Sequence, residues 1–297
     1  MFVSLHLPRG VGRAFVRRGF RKTILAVLTT LAFTAIGVES VRAGEAARIT
    51  LHDGLVWVVV DCGGTKLHFV VDTGAACSCV NLAAAKRLNM RLGSVLTVAG
   101  VGGRTTGYRC TRFQASVGGM RLPEEVVALD LSGPSRGCSE AIDGLIGADF
   151  FRGKVVQIDY ARRVLSREAG PGGAGGTRLR FANGVICVPV AVNGGRARWT
   201  RLDTGCTDAL DWYEGAICCA TKGTKGAGKS LALATSAGSA PQAEVMVGIT
   251  RFHAVPVKML AREIFLGEAG LLGNVALSKY LVTIDGIGNR LLLQPPQ

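Results

Sequence analysis

Two Asp-Thr-Gly triplets, Asp72-Thr73-Gly74 and Asp203-Thr204-Gly205, have the strongest claim to chemistry in this 297-residue chain. A single Asp before Gly is an ordinary turn signal. Two of them at equivalent places in a repeated frame are a different matter. Gly63-Gly64 begins nine residues before Asp72, and Gly194-Gly195 begins nine before Asp203. Downstream, Leu145-Ile146-Gly147 answers to Leu271-Leu272-Gly273, and Ile158-Asp159 to Ile284-Asp285. The upstream pairs lie 131 residues apart and the downstream pairs 126, so one change of five residues separates two parallel frames. That order points to internal duplication. Similar halves related by a pseudo-twofold axis bring equivalent residues together at the axis. Asp72 and Asp203 would then face each other. Two carboxylates a few ångström apart do not both ionise comfortably, so they share a proton, one serving as base and the other as acid. Such a pair can take a proton from a water attacking a carbonyl and deliver one to the leaving group. No metal, cofactor or covalent intermediate is needed.

The elements that must position these residues read as strands. Short β-branched runs at 55–60, 67–71, 185–192 and 280–284 are separated by glycine pairs, the signature of hairpins. Helical signal is confined to 82–88 and 257–265. The reading is mainly β, in two similar β-barrel lobes with a cleft between them. The lobes span 44–165 and 179–297. The Gly- and Pro-rich stretch 166–178 reads as a flexible linker.

The run apolar-apolar-Asp-Thr-Gly, followed downstream by apolar-apolar-Gly and present twice, resembles the aspartic protease superfamily. The short lobes and the Ala after the first triplet are most similar to the retropepsin-like (retroviral-type) proteases and their bacterial aspartyl-protease relatives. The resemblance spans residues 48–297. It implies an aspartic endopeptidase with Asp72 and Asp203 as catalytic residues. It further implies that Thr73 and Thr204 cross-brace the two loops by hydrogen bonds. Gly74 and Gly205 then permit the tight turns that bring backbone amides to the carboxylates. A flap should cover the cleft. The stretch 95–109, with β-prone arms around Gly100–Gly103, fits one, and Gly102 and Gly103 are its substrate-facing candidates. The corresponding stretch 231–247 is richer in Ala, Ser and Gly and fits less well. Three departures from the family pattern stand out. Ala75 and Cys206 occupy positions where pepsin-like enzymes carry a hydroxyl that stabilises the ionised Asp. Its loss raises the apparent pKa values of the pair, so a less acid optimum is expected. Arg201 stands where an apolar residue is usual and leaves room for a degenerate second site.

Composition sets the wider bounds. With 48% hydrophobic and 19% charged residues, the chain is neither disordered nor a multi-span membrane protein. Its net charge of +14 suggests an anionic partner, but residues 1–43 hold seven Lys/Arg against one acid and so carry +6 of it. That segment has the form of an export signal. Basic residues including Arg17 and Arg18 precede an apolar run at 23–38, and Val41-Arg42-Ala43 offers a cleavage site. The Arg17–Lys22 stretch also looks like a twin-arginine signal, although Arg21 sits where an apolar residue is usual. The expected location is periplasmic or secreted. Nine cysteines follow residue 43, an odd number with no Cys-x-x-Cys, and the four histidines are scattered. Buried free thiols are therefore expected, and no metal site.

One motif points elsewhere. Gly223 to Ser230 matches the phosphate-binding loop G-x-x-x-x-G-K-[ST], which would make the chain a nucleotide-binding protein. Residues 231–240 form a poor helix, and too few residues follow for a nucleotide domain. A basic Gly-rich surface loop is the plainer reading. A peptide- or protein-binding module on the same lobes is the other alternative, motivated by Arg201, Cys206 and the weak second flap. The basic residues lack the aromatic interleaving of single-strand nucleic-acid platforms. The expected partner is a peptide or protein substrate. No nucleic acid is expected, nor a membrane beyond an uncleaved leader, and the chain reads as a monomer.

Overall fold

The computed structural model describes residues 3–4, 45–100, 103–170, 175–214 and 241–296. Residues 1–43 apart from 3–4, together with Gly102, Cys218, Cys219 and Gly223–Ser230, lie outside the described residues.

The fold is mainly β, as expected. Its first hairpin shows why. Strands Leu55–Cys62 and Thr65–Val71 pair antiparallel with Cys62 opposite Thr65. The two residues between them are Gly63 and Gly64, both left-handed with φ 59° and 87°. Two consecutive positive φ values make a turn whose twist matches that of the strands, and glycine adopts them without strain. In the second half the turn falls one residue earlier than the Gly194-Gly195 pair implies. Asn193 and Gly194 carry the positive φ values, at 48° and 73°. Asn tolerates that region better than other side chains.

Along Thr65–Val71 alternate side chains point inward. Leu67, Phe69 and Val71 are fully buried, and the strand delivers Asp72 at its end. Strand Gly144–Ile146 runs parallel to it, with Ile146 opposite Val71. On its other side this short strand pairs antiparallel with Cys79–Asn81. The second half repeats the arrangement. Gly270–Gly273 is parallel to Arg198–Asp203, with Gly273 opposite Asp203, and antiparallel to Leu210–Trp212. Each Asp-Thr-Gly turn is thereby fixed between a strand and an inserted parallel neighbour.

Strands Val185–Val192, Arg198–Asp203, Gly270–Gly273, Leu210–Trp212, Thr250–Met259 and Gln242–Val247 close into a six-stranded barrel. The last pairs back onto the first. The other sheet extends from the first half through Ala46–His52 and Val164–Arg167 to Val155–Asp159. Val155–Asp159 pairs antiparallel with Leu281–Asp285, so strands at the ends of the two halves form one continuous sheet. No helix among the described residues is long and apolar enough to cross a membrane.

Two local expectations fail. Residues 257–265 are not helical. Thr250–Met259 is a ten-residue strand whose Phe252, Val255 and Val257 turn inward. Pairing with Leu210–Trp212 and Gln242–Val247 overrides a pattern too short to separate helix from strand. The Gly-rich stretch 166–178 is partly sheet. Ser166 and Arg167 belong to Val164–Arg167, and Thr177–Arg178 pairs with Leu291 and Arg290. Backbone hydrogen bonding recruited these residues where no side-chain pattern announced it. Residues 82–87 do form a helix. The Asn81 side chain caps it by accepting from the Ala83 N–H at 3.1 Å.

Candidate active site

The turns after the two strands meet, and their side chains interlock. Thr73 Oγ1 donates to the Leu202 carbonyl at 2.7 Å and accepts from the Thr204 N–H at 3.1 Å. Thr204 Oγ1 donates to the Val71 carbonyl at 2.7 Å and accepts from the Thr73 N–H at 3.1 Å. Four hydrogen bonds thus join the turns in two reciprocal pairs. All four residues of the brace and pair, Asp72, Thr73, Asp203 and Thr204, are at most 1% exposed.

The two carboxylates lie near enough for each to act on the other's charge, with Gly74 between the turns packed on Asp203. Asp72 Oδ1 accepts from the Gly74 N–H at 3.0 Å and the Ala75 N–H at 3.1 Å. Its Oδ2 is buried without a protein partner. Asp203 Oδ1 accepts from the Gly205 N–H at 3.0 Å. Gly74 packs directly on Asp203, where an added Cβ would sit 2.4 Å from the carboxylate carbon. No larger residue fits there without moving the acid.

Burial pushes both carboxyls above the usual range. At Asp72 the neighbouring Asp203 charge adds to the rise. At Asp203 the Arg201 guanidinium and the Gly205 N–H pull back against it. Two interacting buried carboxyls titrate as a unit. The pair therefore holds one proton across a range less acid than free Asp would set. The nearby thiols are neutral. Burial raises Cys206, and contact with Cys77, ahead of burial, raises Cys79. Asp211 is pushed up to about 6, first by burial.

Several supporting residues were not singled out from the sequence. Ser78 donates its hydroxyl to Asp149 at 2.8 Å, and its N–H contacts both oxygens of that carboxylate at 2.9 Å. The same hydroxyl accepts from the Gly147 N–H, and Ala148 N–H bonds the Ala75 carbonyl at 2.8 Å. Asp149 thus holds the segment after Asp72. In the second half Asn274 follows Gly273 and reaches back to the first half. Its amide donates to the Gly54 carbonyl at 2.7 Å and its oxygen accepts from the Tyr160 hydroxyl at 2.7 Å.

Arg201 is the larger surprise. It is 2% exposed and fully paired. Nε and Nη2 fork onto the Glu268 carboxylate at 2.7 and 2.8 Å, and Nη1 donates to the Gly74 carbonyl at 2.9 Å. Its guanidinium carbon lies 3.5 Å from the centre of the Phe265 ring. The residue read as a sign of decay is built into the turn. A signal was available. The offsets of 131 and 126 place Arg201 opposite Val70 and Glu268 opposite Ile142, so opposite charges enter together at two otherwise apolar positions.

The stretch read as a flap is a hairpin. Strands Val95–Gly100 and Gly103–Cys110 pair with Gly100 opposite Gly103. Gly103 is at φ 120°, a region open to glycine. All seven cysteines among the described residues are free. Cys206, Asp208 and Asp211 each bring one potential ligand atom within 4.8 Å of the others. Lys258 already occupies the same neighbourhood, its Nζ 2.8 Å from Asp208 and 3.8 Å from Asp211.

Residues 58–150 match the family model for aspartyl proteases. The match begins within the Leu55–Cys62 strand, takes in Asp72-Thr73-Gly74, and ends in the short helix Ala148–Phe151. In that stretch the chain is similar to aspartyl proteases of the pepsin/retroviral-like type. Among curated proteins, none matches the chain.

Proposed function

We propose that this aspartyl-protease-type chain is an exported endopeptidase that cleaves peptide bonds with a water held between Asp72 and Asp203. The observation that carries the reading is the pair itself. Two buried carboxyls sit on adjoining turns locked together by Thr73 and Thr204.

The chemistry follows from the shared proton. The ionised member takes a proton from the attacking water, and oxygen adds to the scissile carbonyl. The protonated member hydrogen-bonds the carbonyl oxygen as negative charge builds there. The proton gained by the base then passes to the leaving amine, and the pair returns to one proton. The backbone N–H groups of Gly74, Ala75 and Gly205 keep the carboxylates oriented through the cycle. The paired strands Val95–Gly100 and Gly103–Cys110 are the proposed flap, with Gly103 as its substrate-facing candidate. Residues 1–43 are the proposed export address.

The test is cleavage of casein or a peptide library by the purified chain, with pepstatin as inhibitor. Asp72→Asn or Asp203→Asn should each abolish turnover. Activity surviving either substitution overturns the mechanism. A binding module without turnover loses one of its motives here, because Arg201 is paired and does not intrude on the carboxylates.

A further inference from the structure

The Arg201–Glu268 pair breaks the likeness between the two halves at the place where likeness matters most. In the first half the equivalent residues, Val70 and Ile142, are both buried and belong to one apolar cluster. In the second half the same two places hold a guanidinium and a carboxylate, 2% and 4% exposed. An apolar pair fills such a site at no electrostatic cost. A buried ion pair must offset its own desolvation and is seldom better for stability than well-packed hydrocarbon. Packing therefore does not account for the exchange.

The third donor of Arg201 does. The fork on Glu268 uses Nε and Nη2 and aims Nη1 across to the first half, onto the carbonyl of Gly74. The peptide that bears this carbonyl has its N–H on Ala75, and that N–H donates to Asp72 Oδ1. A hydrogen bond to a carbonyl polarises the N–H of the same peptide. Gly74 is also the residue whose Cα lies against the Asp203 carboxylate. One guanidinium thus grips the peptide that touches both acids. Phe265 covers its face and keeps water from it.

We infer that Arg201, held by Glu268, is a positioning residue of the carboxylate pair: it fixes the first Asp-Thr-Gly turn from the opposite half and supplies the positive charge that biases the shared proton. The inference rests on reading Asp72 and Asp203 as a proton-sharing pair. Among the described residues, the other titratable groups acting on that pair are Cys79, Cys206 and Asp211. None of them changes in the test below.

The variant is R201V/E268I, which installs in the second half the pair that the first half already uses. It leaves no orphaned charge. The expected result is a folded protein with KM retained, kcat lowered about tenfold, and both limbs of the pH profile moved up together by roughly half a unit or more. A residue that only packs would not shift both limbs. In parallel, 13C NMR of labelled Asp carboxyls follows the pair directly, and its midpoint should rise in the variant. Wild-type kcat and an unmoved midpoint overturn the inference. A risen midpoint in a chain that cleaves nothing leaves the positioning role standing and refutes the protease reading instead. If the double variant does not fold, R201K decides. Its ammonium keeps the charge but cannot both fork Glu268 and reach Gly74. The limbs should stay near wild type while kcat falls several-fold, and an unchanged kcat overturns the turn-fixing role.

Discussion

Gly74→Ala is the sharpest perturbation the structure offers, because it adds one methyl group at the point where the halves touch. Gly74 is not among the glycines at positive φ, so alanine adopts its backbone without strain. The difficulty is space. The new Cβ would lie 2.4 Å from Asp203 Cγ and 2.5 Å from each of its oxygens, where ordinary contact begins at 3.4 Å. The carboxylate must retreat by about 1 Å, the difference between those two distances. A displacement of that size at a reacting group costs about a hundredfold in rate. That is about 2.7 kcal/mol in the barrier. Retreat also strains the Gly205 N–H to Asp203 bond, at a cost of about 1 kcal/mol in stability. The alternative, parting the halves, would break the four bonds between Thr73 and Thr204 and cost far more.

The assay pairs kcat on a peptide substrate with thermal unfolding. The expected result is kcat down about a hundredfold with KM near wild type and the melting temperature lowered only slightly. Gly133→Ala is the control, since its Cβ meets nothing nearer than Arg136 Nη2 at 3.9 Å, and it should leave kcat unchanged. A Gly74→Ala enzyme within threefold of wild type would refute the reasoning. Either the carboxylate can move freely, or its place against Gly74 has no part in turnover.

Other outcomes follow from the same contacts. Thr73→Val leaves the Leu202 carbonyl and the Thr204 N–H without Oγ1 and should cost roughly 2–4 kcal/mol by denaturant titration. Asp72→Asn should raise the melting temperature at pH 7 while abolishing cleavage. A carboxyl raised by burial contributes fully below 3.8, and its contribution is lost as pH climbs through the folded value, so the gain should vanish as pH falls below 4. Asp211→Asn should behave likewise for stability, its gain appearing as pH rises through about 6, and calorimetry at pH 4 and pH 7 checks both. Ala75→Ser restores a hydroxyl beside Asp72 and should move the acid limb of the pH–rate profile to lower pH, and a limb that stays put tells against the hydroxyl's role.

Much of this was legible in the sequence because it rests on short, local chemistry. Gly63-Gly64 announces its hairpin through φ alone, and the two triplets announce themselves by equal spacing from the glycine pairs. Long-range pairing was not legible. Nothing in the composition of Thr177–Arg178 says that it will bond Leu291 and Arg290, since an edge strand is recruited by backbone and not by side-chain pattern. The end of Thr250–Met259 is ambiguous in the sequence because a few apolar residues fit both periods, and the neighbouring strands decide. Asn274 is hidden in the sequence for a different reason. Its partners, Gly54 and Tyr160, are 220 and 114 residues away, and an Asn after Gly is usually a turn residue. Arg201 reads in the sequence as an intruder at an apolar position because its partner, Glu268, lies 67 residues away.

The two turns are held by different means, and this bears on what the pair can do. Asp72 is gripped by two backbone N–H groups, with Ser78 and Asp149 bracing the segment behind it. Asp203 has one such N–H, and its segment is braced by Asn274 reaching into the first half. A perfectly symmetric pair would leave the proton equally on either acid. Unequal hydrogen bonding removes that degeneracy and, in the proposed mechanism, would give the attacking water a preferred base. On the proposed mechanism, burial would set the pH range and the unequal turns would divide the roles within it. The absence of a hydroxyl at Ala75 and Cys206 would then act on the first of these, shifting the proposed enzyme's working range without exchanging acid and base.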